Sequence, residues 1–187
     1  MRIHLEHFQN LVESLMALPM IGKKGARSIA LHLVSTDRYL ALRLAHAIES
    51  AALNVHTCAR CGGLSENELC DICTDEKRDR AKLCIVLEIK DIFTLEENGF
   101  YNGRYFVYTG EEGFDTLEKL IGDGVQEVIF AFAPSIQNDA LIYFIEERLS
   151  PFGLSFSKIA QGVPTGVNLE NVDAVSLLRA LEGRVKI

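Results

Sequence analysis

The sequence predicts an α+β multi-module chain: an N-terminal helix-hairpin-helix, a four-cysteine zinc module, and an α/β domain with a parallel sheet that ends in a tail helix. Three observations carry this. Apolar residues recur at helical spacing over the first 55 positions and break at a basic, glycine-containing turn. Four cysteines then fall within sixteen positions. From Leu83 onward, strand-like and helix-like segments alternate, the order that calls for a parallel sheet with crossover helices.

The chain has 187 residues, 48% of them hydrophobic and 24% charged, with 4 prolines. These values are those of a folded globular chain and exclude a disordered or fibrous one. No apolar run approaches the roughly 18–20 residues of a membrane helix, and Met1–His7 lacks a secretory apolar region, so the expected location is the cytoplasm. A net charge of −7 excludes coating nucleic acid by bulk electrostatics. The charge is nevertheless uneven: residues 1–45 carry +3, through Arg2, Lys23, Lys24, Arg27, Arg38 and Arg43 against Glu6, Glu13 and Asp37. An anionic partner is therefore expected at the N-terminal end.

Phe8, Leu11, Val12, Leu15, Met16 and Leu18 mark a first helix over Phe8–Leu18, which Pro19 stops. A second runs from about Lys24 to Val34. The link between them contains Gly22, Lys23, Lys24 and Gly25, a tight basic turn at a helix start. A third helix spans Tyr39 to about Leu53, with Leu40, Leu44, Ala47, Ile48 and Ala51 on one face. Beyond the cysteines, strands are expected at Leu83–Ile89, Arg104–Thr109, Glu127–Ala133 and Leu154–Ile159. Helices are expected at Asp91–Glu97, Phe114–Ile121 and Ala140–Leu149. Gly162–Gly166 reads as a turn before a last helix near Val175–Leu181. The divisions are 1–55 helical domain, 56–76 zinc module, 77–165 α/β domain and 166–187 tail.

Cys58-Ala59-Arg60-Cys61 and Cys70-Asp71-Ile72-Cys73 are two C-x-x-C knuckles. Each closes a tight turn that aims two thiolates at one point, and together they complete the all-sulfur tetrahedron of a structural zinc site. Two disulfides or four free thiols would use the same residues, but a reducing compartment disfavours disulfides and coincidence is a poor account of four cysteines so spaced. Four protein ligands leave no open position for water, so one structural Zn²⁺ per chain is expected. Cys84, within a strand, reads as a buried apolar residue, and His56 as a surface residue of the module.

A helix N-terminus offers unpaired N–H groups, glycines permit close approach, and cations stand beside them, which suits phosphate gripping without base reading. Gly22, Lys23, Lys24, Gly25 and Arg27 are the candidate DNA-binding residues. An ordinary αα-hairpin with a glycine turn and solvated lysines would look similar.

The order of parts, together with specific stretches, resembles the bacterial recombination mediator RecR family over essentially the whole chain. The stretches are Leu18-Pro19, Ile21-Gly22, Lys24 and Ala26; the cysteine box continuing into Arg78-Asp79 and Leu83–Val86; Gly103–Val107; and Ile159-Ala160, Gly162–Pro164, Gly166, Leu169-Glu170 and Val172-Asp173. The resemblance implies a Toprim α/β domain and a non-enzymatic, DNA-binding role in DNA repair and recombination. It implies dimers that assemble into a ring-like homotetramer, and action with RecO and RecF to help RecA load at single-strand gaps. A cytoplasmic, nucleoid-associated location follows from it.

The chain departs from that pattern in places. Where the family hairpin reads Pro-Gly-x-Gly, this chain has Pro19-Met20-Ile21-Gly22, and the family arginine stands at Arg27, one place before Ser28. A Toprim enzyme needs a strand-end glutamate and an Asp-x-Asp pair for Mg²⁺. The glutamate position is Leu87, with Glu88 one place on, and Glu111–Asp115 contains no Asp-x-Asp, so a catalytic metal site is not expected. The competing expectations are a Toprim nuclease, primase or topoisomerase, and a zinc-stabilised adaptor without DNA contact.

Overall fold

The computed structural model describes residues 5–99, 101–160 and Ser176. The chain divides into two compact units, 1–55 and 56–187. Among the described residues no helix is long and apolar enough to cross a membrane.

In the first unit, α1 (Glu6–Met16) and α2 (Lys23–Leu31) form the expected hairpin. Fully buried Ala26 and Ala30 lie one turn apart on α2 and meet Val12 of α1, with Phe8, Leu11, Leu15 and Ile21 closing the seam. The two methyl-sized side chains let the helix axes approach closely. The helix then continues through a π turn, His32–Thr36, closed by the Asp37 N–H donating to the His32 carbonyl at 3.0 Å. Asp37 ends it and caps α3 (Arg38–Asn54), its carboxylate accepting from the Leu40 N–H at 2.8 Å. No residue of α3 is buried, and Leu42, Ile48 and Leu53 stand open.

The second unit opens with a small antiparallel pair, β1 (His56–Thr57) and β2 (Leu64–Ser65), too short to leave a periodic signal in the sequence. A single-turn α4 (Asp71–Thr74) follows. Then come β3 (Asp79–Val86), α5 (Ile89–Asn98), β4 (Gly103–Val107), α6 (Phe114–Gly122), β5 (Glu127–Phe130), α7 (Ile136–Leu149) and β6 (Ser155–Lys158). The four long strands make a wholly parallel sheet in the order β4-β3-β5-β6.

Alternation along β3 divides the core, as the two-residue period of a strand requires. Leu83 and Ile85, followed by Leu87, face Phe114, Leu117, Ile145 and Leu149 of α6 and α7. Cys84 and Val86 face Ile92 and Leu95 of α5, Tyr105 and Val107 of β4, and Ile72 of the cysteine module. Both faces are covered, which is why the strands read as continuous apolar runs.

Several boundaries differ from expectation for local reasons. β3 begins at Asp79, four residues early, because its first half alternates half-buried Asp79 and Ala81 with exposed Arg80 and Lys82 and carries no apolar run. α7 begins at Ile136, where the Ser135 hydroxyl accepts from the Asn138 N–H at 3.1 Å; the polar first turn hides this start in the sequence. β5 ends at Phe130 rather than Ala133. The expected tail helix near Val175–Leu181 lies outside the described residues, except that Ser176 is helical.

A polar clamp ties the segment after the cysteines to the sheet. Arg78 pairs with Glu96 of α5, with one N–H donating at 2.8 Å, and also donates to the Gly103 carbonyl at 3.3 Å. The Tyr105 hydroxyl donates to the same Glu96 carboxylate at 2.7 Å. The Arg78 guanidinium, then the Tyr105 hydroxyl, hold the Glu96 carboxyl below its usual range against the opposing effect of burial. The Tyr105 hydroxyl is pushed well above the ordinary tyrosine value, by burial first and by Glu96 second, so it stays a neutral donor. Because the folded carboxyl titrates lower than the unfolded one, its stabilisation is complete above the unfolded value of about 4.3 and fades as pH drops through the folded value. Glu96→Gln is expected to cost about 1–3 kcal/mol at neutral pH, with the deficit shrinking in acid. Thermal melts of both proteins across pH check this; identical melting at pH 7 would contradict it.

Candidate zinc centre and nucleic-acid interface

The cysteine module is built by two turns of different kinds. In the first, Cys58–Cys61, the Gly62 N–H donates to the Cys58 carbonyl at 3.0 Å, and the Cys58 N–H to the Gly63 carbonyl at 2.7 Å. In the second, Cys70–Cys73, the Cys73 N–H returns to the Cys70 carbonyl at 3.0 Å. Ligand atoms of Cys58, Cys61, Cys70 and Cys73 all lie within 4.8 Å of one another, with Cys61 and Cys70 Sγ atoms 3.6 Å apart. A tetrahedron of sulfurs at about 2.3 Å from zinc has edges of about 3.8 Å, so the four side chains fit the ion. Three are buried and Cys73 is half-buried.

Backbone N–H groups point at the sulfurs: Gly63 donates to Cys61 Sγ at 3.4 Å and Cys70 to Cys58 Sγ at 3.3 Å. Such bonds stabilise negative sulfur and fix the ligands' orientation. Within the cluster, hydrogen bonds from Cys61 and Cys73 pull the Cys70 thiol down. The bond with Cys70 pushes Cys61 up, and the bond with Cys61 does the same to Cys73. A dication among the four sulfurs supplies what the raised thiols need to ionise. Cys84 stands apart in β3, its thiol pushed up to about 12 by burial. His56 is exposed, its Nε2 3.0 Å from the Asn67 carbonyl, and joins no ligand set.

The two glycines after Cys61, which spacing rules for metal ligands pass over, dock the knuckle. Gly62 has φ +74, and a Cβ there would lie 3.3 Å from Val107 Cβ. A Cβ on Gly63 would lie 3.3 Å from both Cys61 Sγ and Ile92 Cδ1. The gap these hydrogens leave lets the Cys61 carbonyl accept the Val107 N–H at 2.8 Å. Cys61 therefore joins the sulfur cluster and the sheet edge in one residue.

Among the described residues, the four cysteines are the one group of three or more His, Cys, Asp or Glu side chains placed to share a metal. Glu88 lies at the N-terminus of α5 with an exposed carboxylate, 2.7 Å from Lys90 Nζ. Leu87 packs against the α6–α7 core.

The basic turn lies at the helix junction of the first unit. Gly22 is the extended residue before α2, with φ −82 and no side-chain cap on the helix. Lys23, Lys24, Gly25 and Arg27 occupy the first turns and are all exposed. None of the three cations belongs to an ion pair among the described residues. A Cβ on Gly22 would meet nothing within 4 Å, and one on Gly25 only Ile21 Cγ2 at 4.0 Å. Neither glycine is demanded by the chain's own packing.

A helical hairpin with a basic turn, a four-cysteine zinc module and a parallel α/β sheet define a modular zinc protein with a phosphate-compatible turn. Family models for the RecR helix-hairpin-helix, the RecR four-cysteine zinc finger domain and the RecR C-terminal region match residues 8–52, 55–75 and 162–185. The chain is 54% identical to the recombination protein RecR of Nitratiruptor sp. over all of both chains. It is 50% identical to that of Helicobacter pylori, over 97% of this chain and 96% of the relative. The RecR of Campylobacter jejuni is also 50% identical, over 98% of each. The chain belongs to the RecR family, and the four cysteines hold one structural zinc.

Metal analysis of the purified protein is expected to give one zinc per chain. Cys61→Ser and Cys73→Ser are each expected to lose the metal and several kcal/mol of stability, since metal binding and folding of such modules are one event. Full stability in both variants would contradict a structural zinc.

Proposed function

We propose that the chain is a non-enzymatic recombination mediator in DNA repair that grips DNA phosphates with the hairpin residues Gly22, Lys23, Lys24, Gly25 and Arg27. Membership of the RecR family supports a role in recombination repair. The single observation that carries the DNA reading is a pair of exposed glycines where a Cβ would meet nothing closer than 4.0 Å, beside three cations in no ion pair among the described residues. Glycine in a helix costs about 1 kcal/mol relative to alanine. At Gly25 no close contact among the described residues offsets that cost, and a close-approaching phosphate would.

The non-enzymatic reading draws on Glu88, turned to solvent and tied to Lys90, and on Leu87, whose place in the core leaves no carboxylate at that strand end. The α/β region is read as a Toprim domain within the division 1–55, 56–76, 77–165 and 166–187. Open apolar residues on α3 favour a dimer made through the N-terminal helices, which would cover them, with dimers pairing into a ring-like tetramer. Two or three cations per chain give weak, salt-sensitive binding without sequence preference, and several hairpins on one DNA raise it by effective concentration. A basic partner such as RecO, with RecF, would supply positive charge that an acidic chain lacks, and the assembly would help RecA load at single-strand gaps. The location that fits is the cytoplasm, at the nucleoid.

Two substitutions test the interface. Gly25→Ala is expected to stabilise the fold by about 0.5–1 kcal/mol while weakening DNA binding, because the added methyl stands where a phosphate would approach. Lys23→Glu/Lys24→Glu, with the oligomer verified intact, is expected to weaken binding at least tenfold at low salt, an order-of-magnitude expectation for two lost phosphate contacts, and to flatten its salt dependence. Unchanged affinity of the double variant, alone and with RecO, would make the hairpin a structural turn and the protein an adaptor.

A further inference from the structure

Met20 is fully exposed, at 104% of its reference area, and has φ +67. Among the described residues it is the one non-glycine with positive φ. For a residue with a Cβ, that conformation is strained where glycine would be at ease. The backbone there belongs to a turn, Leu18–Ile21, closed by the Ile21 N–H donating to the Leu18 carbonyl at 3.3 Å, with Pro19 and Met20 at its centre, where glycine is the usual second residue. The turn needs no methionine, and among the described residues Met20 belongs to none of the apolar clusters. The chain thus holds a long, unbranched, apolar side chain out from the tip of the α1–α2 hairpin. Leu18, half-exposed, lies two residues before it, and the cations Lys23, Lys24 and Arg27 lie just after it.

We propose that Met20 is a wedge that inserts between bases of the bound DNA and selects DNA whose bases are already unstacked. This rests on the reading of the hairpin as a phosphate grip. Once the cations and the α2 N-terminus hold the backbone, the hairpin tip is brought to the groove. An apolar side chain there is desolvated against base faces, which water solvates poorly, and polar phosphates offer it nothing. Methionine is among the side chains suited to such insertion, being flexible and polarizable. Insertion into an intact duplex must break a stacking contact, whereas at a gap edge or single-strand junction that cost is already met. Charge selects the nucleic acid, and Met20 selects its state.

The zinc-loaded full-length protein is tested on an intact duplex and on the same duplex carrying a short gap with 2-aminopurine at its edge. Wild type is expected to prefer the gapped DNA about tenfold, as stacking contributions of this size allow, and to raise 2-aminopurine fluorescence on binding. M20G relieves the backbone, so it folds, and M20Q keeps the length while removing the apolar end. Both are expected to retain duplex affinity and its salt dependence but to lose the preference and the fluorescence rise. No preference in wild type, or a preference that survives in both variants, overturns the wedge. So does a change in oligomeric state of M20G by light scattering with DNA preference intact, which would make the tip a protein contact. Lys23→Glu/Lys24→Glu separates the two readings: if it leaves binding to both DNAs unchanged, the phosphate grip itself fails. If it weakens both while M20G alters nothing, only the wedge fails.

Discussion

The Cys61 carbonyl accepting the Val107 N–H at 2.8 Å is the bond on which the second unit turns. Among the described residues β4 is an edge strand, and an unprotected edge invites pairing with other chains. Here the cysteine module covers one end of it through Cys61, and Arg78 covers the other through the Gly103 carbonyl. Arg78 is itself held by Glu96, and Glu96 by Tyr105 of the same β4. The zinc module is thus more than an appended knuckle: its Ile72 packs in the α5-side core, and its backbone adds a hydrogen bond to the end of β4. Glycine at 62, with φ +74, and at 63 gives that approach room that a Cβ at 3.3 Å would crowd, so the C-x-x-C-G-G stretch favours a docked module as well as a metal site.

The first unit follows a different logic. Its seam is small, resting on Val12, Ala26 and Ala30, and it leaves much apolar surface open on α3. The +3 charge of residues 1–45, set against −10 in the rest, concentrates attraction for phosphate at this end. The acidic remainder repels phosphate.

Much of this is legible in the sequence because its signals are local. Cysteine spacing alone brings the four sulfurs together, and period-two alternation from Leu83 to Leu87 explains why Leu87 and Glu88 face different surroundings. What stays hidden depends on contacts distant in sequence. The Arg78–Glu96–Tyr105 clamp links residues 18 and 9 positions apart, and charged residues at such separations look solvated until the fold joins them. The first half of β3 escapes notice because Asp79, Arg80 and Lys82 leave it without an apolar run. Arg104 is buried, its guanidinium 2.9 Å from Asp123, within a stretch whose neighbours read simply as strand. At Met20 the departure from glycine is visible, but the left-handed backbone and full exposure that give it meaning belong to the structure.

If the zinc knuckle holds the sheet edge, removing the metal must be felt at Val107 and not only among the cysteines. Hydrogen exchange of the full-length protein with and without a zinc chelator measures this directly. The Val107 amide is expected to lose protection together with the Cys58–Cys73 segment, while amides of β3 between Leu83 and Ile85, paired on both sides, keep theirs. Unchanged protection at Val107 in the metal-free protein would show that the edge stands without the knuckle.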